Sequence, residues 1–508
     1  MTSPQSESPA ESIQAPEPRA TTGVAGLDDV LGGGLPTRHV YLVEGTPGAG
    51  KTTLGLQFLQ AGRALGERGL YVTLSETASE LRQVAASHGW TLDGIDVFEL
   101  VSEEGLGPDA EQSILYPSEV ELGETTRAVM AEVERLSPSR LVFDSLSEMR
   151  LLAQDPLRYR RQILALKHFF SARNCTVLML DGMTSHGSDL QLHSIAHGVI
   201  ALEQSVGDYG PVHRHLRVVK IRGVRYRGGE HDVLLDTGGI HVYPRLIAAE
   251  HRGEFVSTSV STGTAELDQI LGGGLSRGSN TLLIGPSGVG KTTTAMSAVL
   301  AALERGEHAR YYLFDEGKGT LLFRCQALGL DVQKYLDNGQ LELHALDPAE
   351  VSPGQFSNMV RMAVEQGGAT MIVIDSLNAY LQSMPGAKFL MLKMHELLSY
   401  LNQQGVVTLL VLGQHGLVGE VRSDVDLSYL SDAIVLYRFF EAQGALRKAV
   451  SVVKSRTNNH ELSIREFRLG PAGVEVGPSI SDFEGVLTGI PSYRGTVALL
   501  GTTGVVSS

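Results

Sequence analysis

Two stretches of this sequence have the residue types and spacing to hold a nucleoside triphosphate. Gly45-Thr46-Pro47-Gly48-Ala49-Gly50-Lys51-Thr52 and Gly285-Pro286-Ser287-Gly288-Val289-Gly290-Lys291-Thr292 both read GxxxxGK[ST], each between an apolar strand-like run and a helix-like run. Glycines let backbone N–H groups turn inward around phosphates, and the following helix N-terminus adds partial positive charge. Lys51 and Lys291 have the length to reach the β- and γ-phosphates, and the hydroxyls of Thr52 and Thr292 suit Mg²⁺. Thr53 and Thr293 follow as further nucleotide contacts. A chance glycine-rich turn explains one such match; two in the same context point to ATP and Mg²⁺ in both.

Other residues recur beside the loops. Asp144 and Asp375 end the apolar runs RLVFD and MIVID, where a carboxylate at the C-terminal edge of a parallel strand can hold the metal shell. A turn-capping aspartate is the plainer alternative. Glu76 and Glu316 follow the runs YVTL and YYLF, where a carboxylate can orient or deprotonate an attacking water or hydroxyl. For a lone glutamate, a solvated loop acid is the better reading; recurrence moves the balance toward chemistry. Lys220-Ile221-Arg222 and Lys454-Ser455-Arg456 put two cations on one face of a strand. They suit a phosphate, including one held by a neighbouring subunit, although a charged strand face is the default.

Something must position these groups, and the chain supplies it twice. GVAGLDDVLGGGL from Gly23 returns as GTAELDQILGGGL from Gly263, and the glycine loops and glutamates follow at the same offset. The later pairs, Asp144 with Asp375 and Lys220 with Lys454, drift by a few residues, as loop insertions would produce. A repeat of about 230 residues is far longer than a stacked-repeat unit, so the sequence predicts a tandem duplication of whole domains. In each copy, apolar strands alternate with helical segments, which predicts a mostly parallel sheet flanked by helices in an α/β fold. The expected layout is a disordered tail at 1–20, domains at 21–247 and 248–490, and a flexible tail at 491–508.

Composition excludes several classes. At roughly 150 residues per domain, 508 residues imply two to four domains. Hydrophobic residues at 42% and charged residues at 19% exclude wholesale disorder. No run has the length and apolarity of a membrane span, and the Ser/Pro/Glu-rich N-terminus does not read as a secretory signal. Cys175 and Cys325 offer neither metal spacing nor a disulfide framework and fit a reducing cytoplasm. A net charge of −15 weighs against nucleic acid as partner.

Taken in order, GLDxxLGGG, GTPGAGKTT, a glutamate after a strand, VFDSLS and VxKxRG resemble the KaiC family of clock ATPases and kinases and, more broadly, the RecA-like ATPases. The resemblance covers about residues 21–490 and implies two tandem RecA-like P-loop domains. It further implies hexameric rings with ATP between subunits, slow hydrolysis in the first domain, and autokinase and autophosphatase activity in the second. Where the family has a glutamate pair, this chain has Ser75-Glu76 and Asp315-Glu316, placing Asp315 at the kinase general-base position and leaving first-domain hydrolysis to Glu76. Ser428 matches the family's phosphorylated serine, Tyr429 replaces the adjacent threonine, and Ser423 matches a further threonine. Leu328 stands at the second-domain tryptophan position, and Trp90, the only tryptophan, reads as packing.

These expectations describe an ATPase and serine/threonine autokinase serving as a signalling or timing switch. The resemblance implies small regulatory protein partners of the Kai type, with a histidine kinase as an alternative output. A DNA-dependent RecA-like motor and a nucleotide-stabilised ring scaffold are the competing readings. The first lacks a basic or aromatic-basic stretch, and the second is kept alive by Ser75.

Overall fold

The computed structural model describes residues 18–100, 117–153, 155–183, 190–206, 211–382, 387–414, 429–442, 444–470, 473–481, 483–488 and 492–493. One compact unit ends at Arg245 and a second opens at Leu246, whose side chain belongs to the second unit's core.

Each unit is built on a nine-stranded sheet. In the first, the strand order is Gly239–Tyr243, Glu230–Asp236, His213–Ile221, Gly198–Ser205, Val40–Gly45, Thr176–Gly182, Arg140–Asp144, Gly69–Thr73 and Ile95–Glu99. The second repeats that order with Gly473–Ser479, Arg465–Gly470, Ala445–Ser455, Ala433–Ala442, Asn280–Pro286, Val407–Gln414, Ala369–Asp375, His308–Leu313 and Leu341–Ala345. From Gly198–Ser205 to Ile95–Glu99, and from Ala433–Ala442 to Leu341–Ala345, every neighbour is parallel. The remaining strands of each sheet are antiparallel. The expected α/β fold, duplicated, is what forms.

The alternation of side chains across each strand divides the core into layers. Tyr41, Val43, Tyr71, Val142 and Leu180 pack with the helices Lys51–Ala64 and Ala78–Ser87. Their neighbours Leu42, Leu70, Val72, Phe143 and Met179 face the opposite way, onto the helices Pro117–Leu136 and Pro156–Ser171. In the second unit, Leu283, Tyr311 and Val373 face the helices Lys291–Glu304 and Lys318–Ala327, while Leu282, Tyr312 and Ile374 face Pro353–Glu365 and Ala387–Gln403. This parity assigns the strand-end carboxylates. Asp144 follows Val142 by two, and Asp375 follows Val373 by two, so both carboxylates lie on the face that carries the loop helix.

Candidate nucleotide sites

Each glycine loop leaves a central parallel strand and enters a helix, Lys51–Ala64 or Lys291–Glu304. The first glycine is demanded by close approach: a Cβ at Gly45 would lie 2.3 Å from the Leu202 carbonyl oxygen, and at Gly285 2.6 Å from that of Tyr437. The last glycine before the lysine has φ of 105° at Gly50 and 125° at Gly290, which side-chain-bearing residues rarely adopt.

The two lysines curl into their loops. Lys51 Nζ donates to the Gly45 carbonyl at 2.8 Å and to that of Thr46 at 3.1 Å. Lys291 Nζ donates to Gly285 and Pro286 at 2.7 and 2.8 Å. Burial lowers both lysines, to about 8 for Lys291, against the pull of Asp144 and Asp181 on Lys51 and of Asp375 and Asp315 on Lys291. Ammonium groups held by neutral carbonyls in a desolvated loop favour an arriving polyphosphate.

The strand-end aspartates complete a repeated triad. Asp144 Oδ2 accepts from the Tyr71 hydroxyl at 2.6 Å and from the Thr52 hydroxyl at 3.3 Å. Asp375 Oδ2 accepts from the Tyr311 hydroxyl at 2.7 Å, and its carboxylate also bonds Thr292. Burial raises both carboxyls, opposed by these hydrogen bonds and the loop lysines. Paired hydroxyl and carboxylate oxygens are the hard donors Mg²⁺ prefers, and a dication there would offset the cost of burying the carboxylate. Among the described residues no cluster of three His, Cys, Asp or Glu could hold a metal, so any metal here relies on this mixed set. Tyr71 and Tyr311 were not singled out from the sequence, although they recur at the same offset as the glycine loops.

Glu76 and Glu316 sit in matching loops with different neighbours. In the first unit, Thr73 Oγ1 donates to the Glu76 carbonyl at 2.7 Å, and Thr77 caps helix Ala78–Ser87 in a capping box with Glu80. Glu76 Oε2 is buried with no hydrogen-bond partner among the described residues, and burial, then Asp144, then Glu80 raise the carboxyl above its usual range. In the second unit, Arg324 donates Nη1 to Glu316 Oε1 at 3.1 Å and Nη2 to Oε2 at 2.6 Å. Asp315 accepts a hydrogen bond from the Ser376 hydroxyl. Asp315, Glu316, Arg324, Lys291, Thr292 and Asp375 all line one cleft. Ser75 is exposed.

The floor of each site is braced by the residue three past the aspartate. Ser147 Oγ donates to Asp181 at 2.8 Å and accepts from Gly182 N at 3.0 Å, while Arg150 pairs with Asp181 at 2.6 Å. Asn378 bridges both backbone groups of Gly413, at 3.0 and 2.7 Å.

The recurring cations lie elsewhere. Register pairs Lys220 with Val199 and Val199 with Leu42, which is roughly 10 Å of strand short of Gly45 at 3.3 Å per residue. Lys220 Nζ donates to the His193 carbonyl, Arg222 to that of Ser194 at 2.7 Å, and Lys167 to that of Ile195 at 2.7 Å. Lys454 Nζ donates to the Ser431 carbonyl at 2.6 Å, and Arg456 lies 3.7 Å from Asp432. Neither Lys454 nor Arg456 is among the residues lining the second unit's cleft. Trp90 packs partly buried against the first core, its ring 5.0 Å from that of His88. Ser423 and Ser428 lie outside the described residues. Among those described, no helix is long and apolar enough to cross a membrane.

Comparison with known proteins agrees with this geometry. A family model for the KaiC ATPase matches residues 20–247 and again 260–481. The circadian clock protein KaiC3 of Synechocystis sp. is 26% identical over 483 residues, spanning 93% of this chain and 94% of that protein. KaiC2 of Synechocystis sp. is 27% identical over 483 residues, 93% of this chain and 83% of its own length. The circadian clock oscillator protein KaiC of Synechococcus elongatus is 25% identical over 507 residues, covering 97% and 94%.

Proposed function

The chain belongs to the KaiC ATPase family, and from that premise we propose that it hydrolyses ATP in its first unit and transfers a phosphoryl group to its own serine in the second, as a signalling or timing switch. The observation that carries the reading is the repeated constellation of loop lysine, hydroxyl, tyrosine-held aspartate and following carboxylate, built on one strand order in both units.

In the first unit, the loop amides and Lys51 bind and orient the triphosphate. Mg²⁺ held by Thr52 and Asp144 supplies charge neutralisation on the phosphates when bound. Glu76 accepts the proton of a water whose oxygen forms the new bond to the γ-phosphorus, while the bond to ADP breaks. In the second unit, Thr292 and Asp375 suit the metal. Asp315, oriented by Ser376, takes the proton of a protein hydroxyl that attacks the γ-phosphorus, again releasing ADP. Ser428 is the favoured acceptor, with Ser423 next. Lys220, Arg222, Lys454 and Arg456 act on the nucleotide of an adjacent subunit in a homohexamer, a role their distance from their own loops supports. Small Kai-type proteins are the proposed partners.

The test is incubation of the purified chain with γ-labelled ATP, following released phosphate and labelled protein together. Hydrolysis with label on Ser428 is expected. Lys291→Ala abolishes the label and Ser428→Ala removes most of it. Label that persists in Lys291→Ala refutes the kinase assignment.

A further inference from the structure

Residues 324 and 84 stand eight positions after Glu316 and Glu76, and they differ. Arg324 forks onto both oxygens of Glu316, a charge-assisted bidentate pair. Val84 occupies the matching place in the first unit, packed partly buried against the core, and there one buried oxygen of Glu76 has no hydrogen-bond partner among the described residues. Among the described residues, Arg324 is the cation in salt-bridge contact with Glu316, and Asp375, Tyr311 and Cys325 also feel its charge. Asp315, its neighbour in the chain, is held separately by Ser376. One acid of the second site is thus clamped to a guanidinium, and the other is braced by a neutral hydroxyl.

We propose that Arg324 is a positioning residue that withholds Glu316 from water activation, so that the second unit keeps its γ-phosphoryl group for transfer to a hydroxyl through Asp315. This rests on the ATPase reading above. With the fork closed, Asp315 takes the hydroxyl proton, the hydroxyl oxygen bonds to phosphorus and ADP leaves. With it open, Glu316 takes a proton from water, water oxygen bonds to phosphorus, and ADP and inorganic phosphate leave.

A purely structural role is the competing account. Helix Lys318–Ala327 starts at Gly317 with no side-chain cap, whereas Ala78–Ser87 has its capping box, so the fork could serve only to tether the loop. Kinetics separate the two. In the full chain carrying Lys51→Ala to silence the first site, Arg324→Met should raise kcat for ATP hydrolysis at least about tenfold, as freeing a general base does. KM should change far less. Adding Glu316→Gln removes the gain, and Arg324→Lys gives a smaller gain than Arg324→Met. Conversely Val84→Arg, in a chain carrying Lys291→Ala, slows first-site hydrolysis about tenfold.

An unchanged kcat in Arg324→Met, a gain that survives Glu316→Gln, or a change in KM alone overturns the proposal. Calorimetry with ATP on the same proteins separates it from the underlying reading. Binding with equal rates throughout overturns the role of Arg324 alone; no binding by any of them overturns both.

Discussion

Glu76 and Lys291 are each shifted by burial, and each shift has a measurable sign. Glu76 is raised, so as pH falls it protonates before a solvated glutamate would, and first-site hydrolysis loses its base at a correspondingly higher pH. A rate–pH profile of the Lys291→Ala chain should show that early acid limb. Glu76→Gln should lower the same rate by about a hundredfold or more, and a Gln variant that hydrolyses at the parent rate removes Glu76 from the mechanism. Lys291 is lowered to about 8, and bound phosphate favours its charged form. Affinity at the second site is therefore flat below that pH and falls by roughly tenfold per unit above it, readable by calorimetry on the Lys51→Ala chain. Both loops were legible in the sequence because each motif is contiguous. The fork of Arg324 was not, since an arginine eight residues from a glutamate meets it only after a turn and a helix have fixed their directions.

At the scale of elements, strand parity does most of the positioning. A single-residue slip in Arg140–Asp144 would carry Asp144 away from Thr52 and Tyr71. That parity was readable once RLVFD and MIVID were taken as strands. The tyrosines were harder to find, because a tyrosine in an apolar strand looks like core, and only its hydroxyl, 2.6 or 2.7 Å from the aspartate, says otherwise. The glycine before each lysine is also set by its element. A Cβ at Gly290 would lie 2.7 Å from Phe467 Cε1, at a φ of 125°. Gly290→Ala should therefore cost at least about 1–2 kcal/mol of backbone strain and weaken ATP binding at the second site with the first unaffected. Equal affinity at both sites in that variant would show that the loop tolerates the methyl group.

For the whole molecule, the decisive question is whether one subunit finishes another's site. The sequence showed the paired cations but not their distance from their own loops, which depends on a hairpin register no local motif encodes. If they act across subunits, Lys51→Ala chains and Arg222→Ala chains, each impaired at the first site alone, should recover hydrolysis when mixed with the second sites silenced. Each mixed ring then pairs an intact loop with an intact arginine. No recovery in rings shown to contain both chains, by sequential capture on two different affinity tags, would refute the arrangement.

Lys167, Lys220 and Arg222 spend their charge on three successive carbonyls at the close of the short helix Leu190–Ile195, and none meets a carboxylate among the described residues. From that helix His193 reaches Glu44 at 2.8 Å, one step before Gly45. An anion that drew those cations away would unfasten the helix, and with it the prop beneath the subunit's own phosphate cradle. Were that anion a neighbour's nucleotide, as proposed above, its arrival would be felt at this subunit's own loop by way of Lys220, His193 and Glu44.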